Sequence, residues 1–194
     1  MNVRKATKND INSIVEIHME RFSSFFLTTL GSSFLKVFYK AFLKNPGVLI
    51  VLEDEGNIKG FAAGSSDNRS FFKKLLKNNL LEFCYAGARI LFTKPAALKR
   101  MATNAGKSEK NNLIFAELLS IATLNNKKGY GKILLEEFEK EIAKENMNDL
   151  PVSLTTDYDD NEKAVQFYKD SGYEVQEVFQ SFQSRKMYRF IKKL

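Results

Sequence analysis

Between Leu113 and Thr123 the chain holds an apolar, strand-like run interrupted by Glu117 and Ser120. A run of that length reads as a central strand. It passes through Leu124-Asn125-Asn126-Lys127-Lys128 into Gly129-Tyr130-Gly131-Lys132, then into a helical pattern that turns Ile133, Leu134, Phe138 and Ile142 inward. A helix start carries unpaired N–H groups and a partial positive charge, so this turn suits an anion such as phosphate. Glycine lets the backbone approach the anion closely, and Lys127, Lys128 and Lys132 add charge. Taken alone, the segment serves equally as a tight strand-to-helix connection. It is not a Walker A loop: Asn126 stands where the first glycine belongs and Ile133 where the hydroxyl belongs. A Rossmann fingerprint would need a third glycine and a parallel βαβ setting.

The flanking patterns complete an α+β layout. Val3 to Ala6 reads as a short first strand. Thr7 and Asp10 have capping-box spacing ahead of Ile11, Ile14, Val15, His18 and Phe22, which recur at helical intervals. A second helix is expected after Gly31, capped by Ser32 or Ser33, with Leu35, Phe38, Tyr39 and Phe42 as its apolar stripe. Val48 to Glu53 and Ile58 to Gly64 read as a hairpin around Asp54-Glu55-Gly56-Asn57. Val152 to Thr156 is another strand, Asn161 to Asp170 a helix closed by Gly172, and Tyr173 to Phe179 with Lys186 to Ile191 a final antiparallel pair.

The helix at Asn161 carries the second motif: Asn161, Ala164, Phe167, Tyr168, Gly172 and Tyr173. Together with Asn126-x-x-Gly129-x-Gly131 it resembles the GNAT superfamily of acetyl-CoA-dependent N-acetyltransferases. The likeness lies in that family's Gln/Arg-x-x-Gly-x-Gly/Ala and Asn-x-x-Ala-x-x-Phe-Tyr-x-x-x-Gly-Phe segments. It implies one acetyltransferase domain over residues 1–194. The implied fold is a mostly antiparallel mixed central sheet flanked by helices, with a helical insertion at about 68–112 before the central strand. It also implies acetyl-CoA as cosubstrate. Backbone N–H groups of Asn126, Lys127, Lys128, Gly129, Tyr130, Gly131 and Lys132 would hold its pyrophosphate. Pantetheine would insert beside the central strand and pair with the backbone of Leu119 and Ile121. The Ile121 N–H would polarise the acetyl carbonyl. Two departures stand out. Asn126 replaces the usual Gln or Arg, and Lys127 stands where many members have Gly.

Acyl transfer to an amine needs a neutral nucleophile, a stabilised oxyanion and a protonated leaving thiolate. The resemblance makes Tyr168 the candidate general acid for the thiolate; the alternative is a packed helix tyrosine. Asn161 would hold the pantetheine arm, cap its helix, or do both. Glu117 is the candidate general base, a carboxylate on an apolar strand. By period-two alternation it is expected to share a face with Leu119 and Ile121; alternatively it faces solvent or a lysine. His18 reads as a packed histidine, and Cys84, the one cysteine, has no partner for a disulfide or for nucleophilic chemistry.

Composition bears mainly on the acceptor and the compartment. With no signal-like apolar leader and no membrane-length apolar run, a cytoplasmic protein is expected. The net charge of +7 is uneven: from Arg69 to Lys110 seven Lys and three Arg face two Glu, +8, leaving −1 elsewhere. That points to an anionic small-molecule amine acceptor such as an amino sugar, with a protein or peptide amine as the alternative. A third reading lays the apolar residues of this segment, Phe71-Phe72 among them, on an anionic membrane or a partner. Nucleic acid is disfavoured because no binding motif appears. Oligomeric state stays open between monomer and homodimer, and no metal-ligand spacing occurs.

Overall fold

The computed structural model describes residues 1–68, 71, 74, 75, 114–124, 129–145, 150–181 and 185–194. The elements, in chain order, are β1 (Asn2–Lys5), a 3-10 turn (Lys8–Asp10), α1 (Ile11–Arg21), α2 (Phe26–Thr29), α3 (Ser32–Ala41), β2 (Gly47–Asp54) and β3 (Asn57–Ser65). They continue with β4 (Ala116–Thr123), α4 (Tyr130–Glu145), β5 (Val152–Asp157), α5 (Glu162–Asp170), β6 (Glu174–Gln180) and β7 (Lys186–Lys192). The strands form one seven-stranded sheet in the order β1-β2-β3-β4-β5-β7-β6. Every neighbour pair is antiparallel except β4 with β5, which is parallel. This is the expected α+β sheet. The basic segment and most of the expected insertion, as well as Asn126, Lys127 and Lys128, lie outside the described residues.

Alternation along β2 sorts the core into two layers. Leu49 and Val51 pack with α1 and α3, beside Ile14, Ile17, Leu35, Tyr39, Phe42, Phe61 and Ala63. Val48, Ile50 and Leu52 pack on the other face with Leu134, Phe138 and Ile142 of α4 and with Leu154 and Phe190. Strand side chains point to opposite faces with period two, so one buried strand feeds both layers. Phe71 and Leu75 belong to the first layer, and the Phe71 ring lies 4.7 Å from that of Phe42. Phe71 is therefore a core residue and cannot face a membrane.

The first helix begins as its sequence indicates. The Thr7 hydroxyl oxygen accepts from the Asn9 N–H at 3.3 Å, and the Asp10 carboxylate accepts from the Thr7 N–H at 2.7 Å. Arg4 donates to both oxygens of Asp10, at 2.8 and 2.9 Å, and holds this carboxyl down at about 2. Two local readings need correction. α3 starts from Gly31 with no side-chain cap from a serine, and a short helix, α2, precedes it. Gly172 closes α5 as expected, with φ of 86°.

Gly64 on β3 sits in close contact with both β4 and α4. A Cβ there would lie 2.2 Å from the Glu117 carbonyl oxygen and 2.4 Å from the Phe138 ring. Only glycine lets β3, β4 and Phe138 meet so closely.

Candidate active site

β4 and β5 pair at three positions only: Ala116 with Val152, Glu117 with Ser153 and Leu118 with Leu154. Beyond Leu118 the two strands have no pairing, so the sheet forks between residues 119–123 and 155–157. A bulge lies at the fork. β3 pairs Ala63 with Ser120 and then Gly64 with Leu118, leaving Leu119 as the extra residue. An extra residue in one strand shifts the side-chain alternation by one and increases the local twist.

That shift corrects the expected alignment. Glu117 lies opposite Ser65, Ser120 opposite Ala63 and Ala122 opposite Phe61, all on the α1/α3 face. Leu119 packs toward this same face. Ile121, opposite Ala62, joins Leu118 and Ala116 on the α4 face. Glu117 and Ile121 thus stand on opposite faces of β4, which simple period-two counting does not foresee.

Glu117 is half-buried, and desolvation pushes its carboxyl up to about 7, with the positive Arg189 acting in the other direction. Among the described residues it has no hydrogen-bond or ion-pair partner. Arg189, on β7, is held in place: its Nε donates to Glu177 Oε1 at 2.7 Å, and its guanidinium carbon lies 5.3 Å from the Phe115 ring and 5.2 Å from the Phe179 ring. Sequence reasoning passed over Arg189. The signal was a lone arginine inside the apolar run Met187-Tyr188-Arg189-Phe190-Ile191.

Behind the bulge, Ser120 hydrogen-bonds the Tyr39 side chain, and the Tyr39 hydroxyl lies 2.7 Å from His18 Nδ1. His18 is buried, and desolvation holds it down at about 4, so it is neutral at physiological pH. The packed-histidine reading therefore gains a purpose: α1 and α3 reach the bulged strand through one polar chain.

The glycine-opened helix start is present as α4. Gly129 has φ of 104°, a backbone state other residues rarely adopt, and its carbonyl accepts the Ile133 N–H at 2.9 Å. Tyr130 turns inward, 7% exposed, and its hydroxyl donates to Asp54 at 2.5 Å. Its side chain is part of the core. Lys132 is exposed, with its ammonium 3.9 Å from Glu136. A Cβ on Gly131 would sit 3.7 Å from the Phe167 ring, so the two sequence motifs meet here.

α5 carries the rest of the second motif. Asn161 precedes the helix but makes no capping bond. Its side-chain amide donates instead to Thr156 Oγ1 at 2.5 Å and to the Asp157 carbonyl at 3.2 Å, tying α5 to the end of β5. The Tyr168 ring packs 5.2 Å from Phe167, 6.0 Å from Tyr173 and 5.8 Å from Phe190. Burial pushes its phenol up to about 12, and its hydroxyl has no hydrogen-bond partner among the described residues.

Near the tip of β5, a cavity of about 380 Å³ is lined by Ser24, Phe25, Phe26, Thr29, Asp157 and Arg185. Arg185 pairs with both carboxylate oxygens of Asp157, and its guanidinium carbon lies 5.3 Å from the Phe25 ring. Among the described residues no cluster of His, Cys, Asp and Glu could hold a metal, and no helix is long and apolar enough to cross a membrane.

The sheet thus forks between two parallel strands, and a glycine-opened helix follows the first of them. The profile described as the Acetyltransferase (GNAT) family matches residues 11–173. The chain belongs to that family: it is a GNAT N-acetyltransferase with acetyl-CoA as cosubstrate. Solved structures share the fold. The ribosomal-protein-alanine N-acetyltransferase from Brucella melitensis is 15% identical, with 100% of each chain covered and a TM-score of 0.65. The aminoglycoside 6'-N-acetyltransferase from Enterococcus faecium is 10% identical, with 100% of this chain and 97% of that one covered and a TM-score of 0.60. An aminoglycoside 6'-N-acetyltransferase complexed with coenzyme A is 12% identical, with 100% and 97% covered and a TM-score of 0.62. No curated protein sequence matches this chain.

Proposed function

We propose that the enzyme acetylates a primary amine on a small acceptor bearing an anionic group, by direct attack of the amine on the thioester. The observation that carries this reading is Glu117 at the fork, half-buried and raised to about 7. A base in that range is part-ionised near neutral pH and can take a proton from an alkylammonium acceptor. The edge of β4 that β5 leaves unpaired, at residues 119–123, is where pantetheine would lie, against backbone groups of Leu119 and Ile121. The pyrophosphate would rest on N–H groups at the start of α4, from Gly129 through Lys132, and on Asn126, Lys127 and Lys128 ahead of it. Asn161 would steady the pantetheine arm from the end of β5. Tyr168 would donate its proton to the leaving thiolate and recover one from solvent, since a phenol at about 12 rests protonated through the working range.

The acceptor's charge is read from which acids are already engaged. Asp157 holds Arg185, and Glu177 holds Arg189. Arg185 stands at the cavity wall, where an anionic group of the acceptor would share it with Asp157. The +8 segment from Arg69 to Lys110 favours the same acceptor class. The test is turnover of acetyl-CoA over an amine panel of phosphorylated and nucleotide-linked amino sugars, aminoglycosides, polyamines and peptides. Preference for the anionic amino sugars supports the reading. Turnover confined to aminoglycosides, polyamines or peptides rejects it.

A further inference from the structure

Arg189 is fixed more firmly than a surface arginine needs to be. It rises from β7 on the face that also carries Glu117: Glu117 pairs with Ser153 on β5, and two residues on, Thr155 pairs with Arg189. Its guanidinium spans β5 and reaches the ring of Phe115, two residues before Glu117. Phe179 flanks it at 5.2 Å, and Glu177 takes its Nε–H at 2.7 Å. Two rings and one carboxylate thus immobilise a positive charge beside Glu117 that makes no contact ion pair with it.

We infer that Arg189 is a positioning residue, leashed by Glu177 so that it acts on Glu117 as a fixed countercharge and governs when Glu117 can accept the acceptor's proton. The inference rests on the reading of Glu117 as the base. Its logic lies in the leash. A free arginine would close on Glu117 as a bidentate pair, holding it ionised and occupying the oxygens that must take the proton. No arginine at all would leave a desolvated carboxyl protonated at neutral pH. Glu177 keeps Arg189 between those extremes.

The other groups around Glu117 leave Arg189 as the controlling charge among the described residues. β3 offers Ser65, with the Asp67 carboxylate just past its end, and β5 offers Ser153, both serines neutral; of the charged groups, Arg189 is the one that acts on Glu117. α1 contributes His18, neutral above about 4, and α3 contributes Tyr39, whose phenol burial raises further. β6 contributes Glu177, already engaged by Arg189.

The experiment is a carbon-13 titration of carboxyl-labelled glutamates in the full chain, with the Glu117 signal assigned by its loss in Glu117→Gln. The wild-type midpoint is expected near 7. Arg189→Met should raise it by on the order of one pH unit, while Glu177→Gln, which frees the arginine, should lower it. Arg189→Lys keeps the charge and should restore most of the wild-type midpoint, which separates charge from packing. The pH dependence of kcat/KM, measured with the best amine of the panel, should move with each midpoint. Midpoints unchanged in both Arg189→Met and Glu177→Gln overturn the inference and leave Glu117 as base untouched. A rate profile unaltered in Glu117→Gln removes the base assignment and this inference with it.

Discussion

The Tyr130 hydroxyl donates to Asp54 at 2.5 Å, bolting the first residue of α4 to the end of β2. The N–H groups proposed to meet the pyrophosphate belong to this same turn, so the bond sets where they point. Tyr130→Phe removes a charge-assisted hydrogen bond and is expected to cost about 1–3 kcal/mol of stability. It should also raise the KM for acetyl-CoA several-fold with little change in kcat. Urea unfolding and initial rates measure both. A stability loss with an unchanged KM would mean that the bond holds the fold but not the cofactor.

Gly64 governs the fork from beneath. Gly64→Ala puts a methyl group 2.2 Å from the Glu117 carbonyl oxygen and 2.4 Å from Phe138. Backbone cannot yield as a side-chain tip does, so a loss of about 2–4 kcal/mol is expected, within the range of overpacking or beyond it. The double variant Gly64→Ala/Phe138→Leu relieves only the ring contact. It should recover only part of the loss; full recovery would show that the strand contact is not the limiting one.

His18 makes the fold sensitive to acid in a definable window. Its ordinary value is 6.5, and burial lowers it to about 4 in the folded chain. The unfolded chain therefore binds more protons between these values, and stability falls as pH drops from 6.5 toward 4. The full loss is roughly 3 kcal/mol at 1.36 kcal/mol per pH unit. Glu117 acts oppositely. Its folded value is raised, so its contribution is lost as pH rises from 4.5 toward 7. The informative quantity is the difference between wild type and His18→Gln in urea midpoint across pH 4 to 7. A difference that is flat with pH would show that His18 does not titrate as a buried neutral ring.

Much of this architecture could be read from local pattern. The capping box at Thr7 and Asp10, the β-rich run Val48 to Glu53 and the stripe Leu134, Phe138, Ile142 each depend on neighbours close in sequence. What escaped depends on partners far away. The bulge at Leu119 exists only in the pairing of β3 with β4, so counting along β4 alone misplaces Glu117 relative to Ile121. Asn161 has the residue type of a helix cap, yet Thr156 and the Asp157 carbonyl take its amide. Arg189 acquires meaning from Phe115, just ahead of β4, and from Glu177 and Phe179 on β6, two segments far apart in the chain. The helix α2 was missed because four residues, Phe26–Thr29, are too few to show a period.

Tyr168 provides the sharpest test of the proposed chemistry. Burial holds its phenol up to about 12, so it keeps its proton at every pH where the enzyme would work. Protonation of the leaving thiolate by a placed acid contributes about 10²–10⁴-fold. Tyr168→Phe retains the ring packing against Phe167, Tyr173 and Phe190 and should leave the melting temperature nearly unchanged. It should lower kcat about 100-fold or more, with the KM for acetyl-CoA little altered. Because the phenol titrates so high, the loss should be uniform from pH 6 to 9, and the acidic limb set by Glu117 should persist at its wild-type midpoint. A rate within a factor of two of wild type would assign Tyr168 to packing alone.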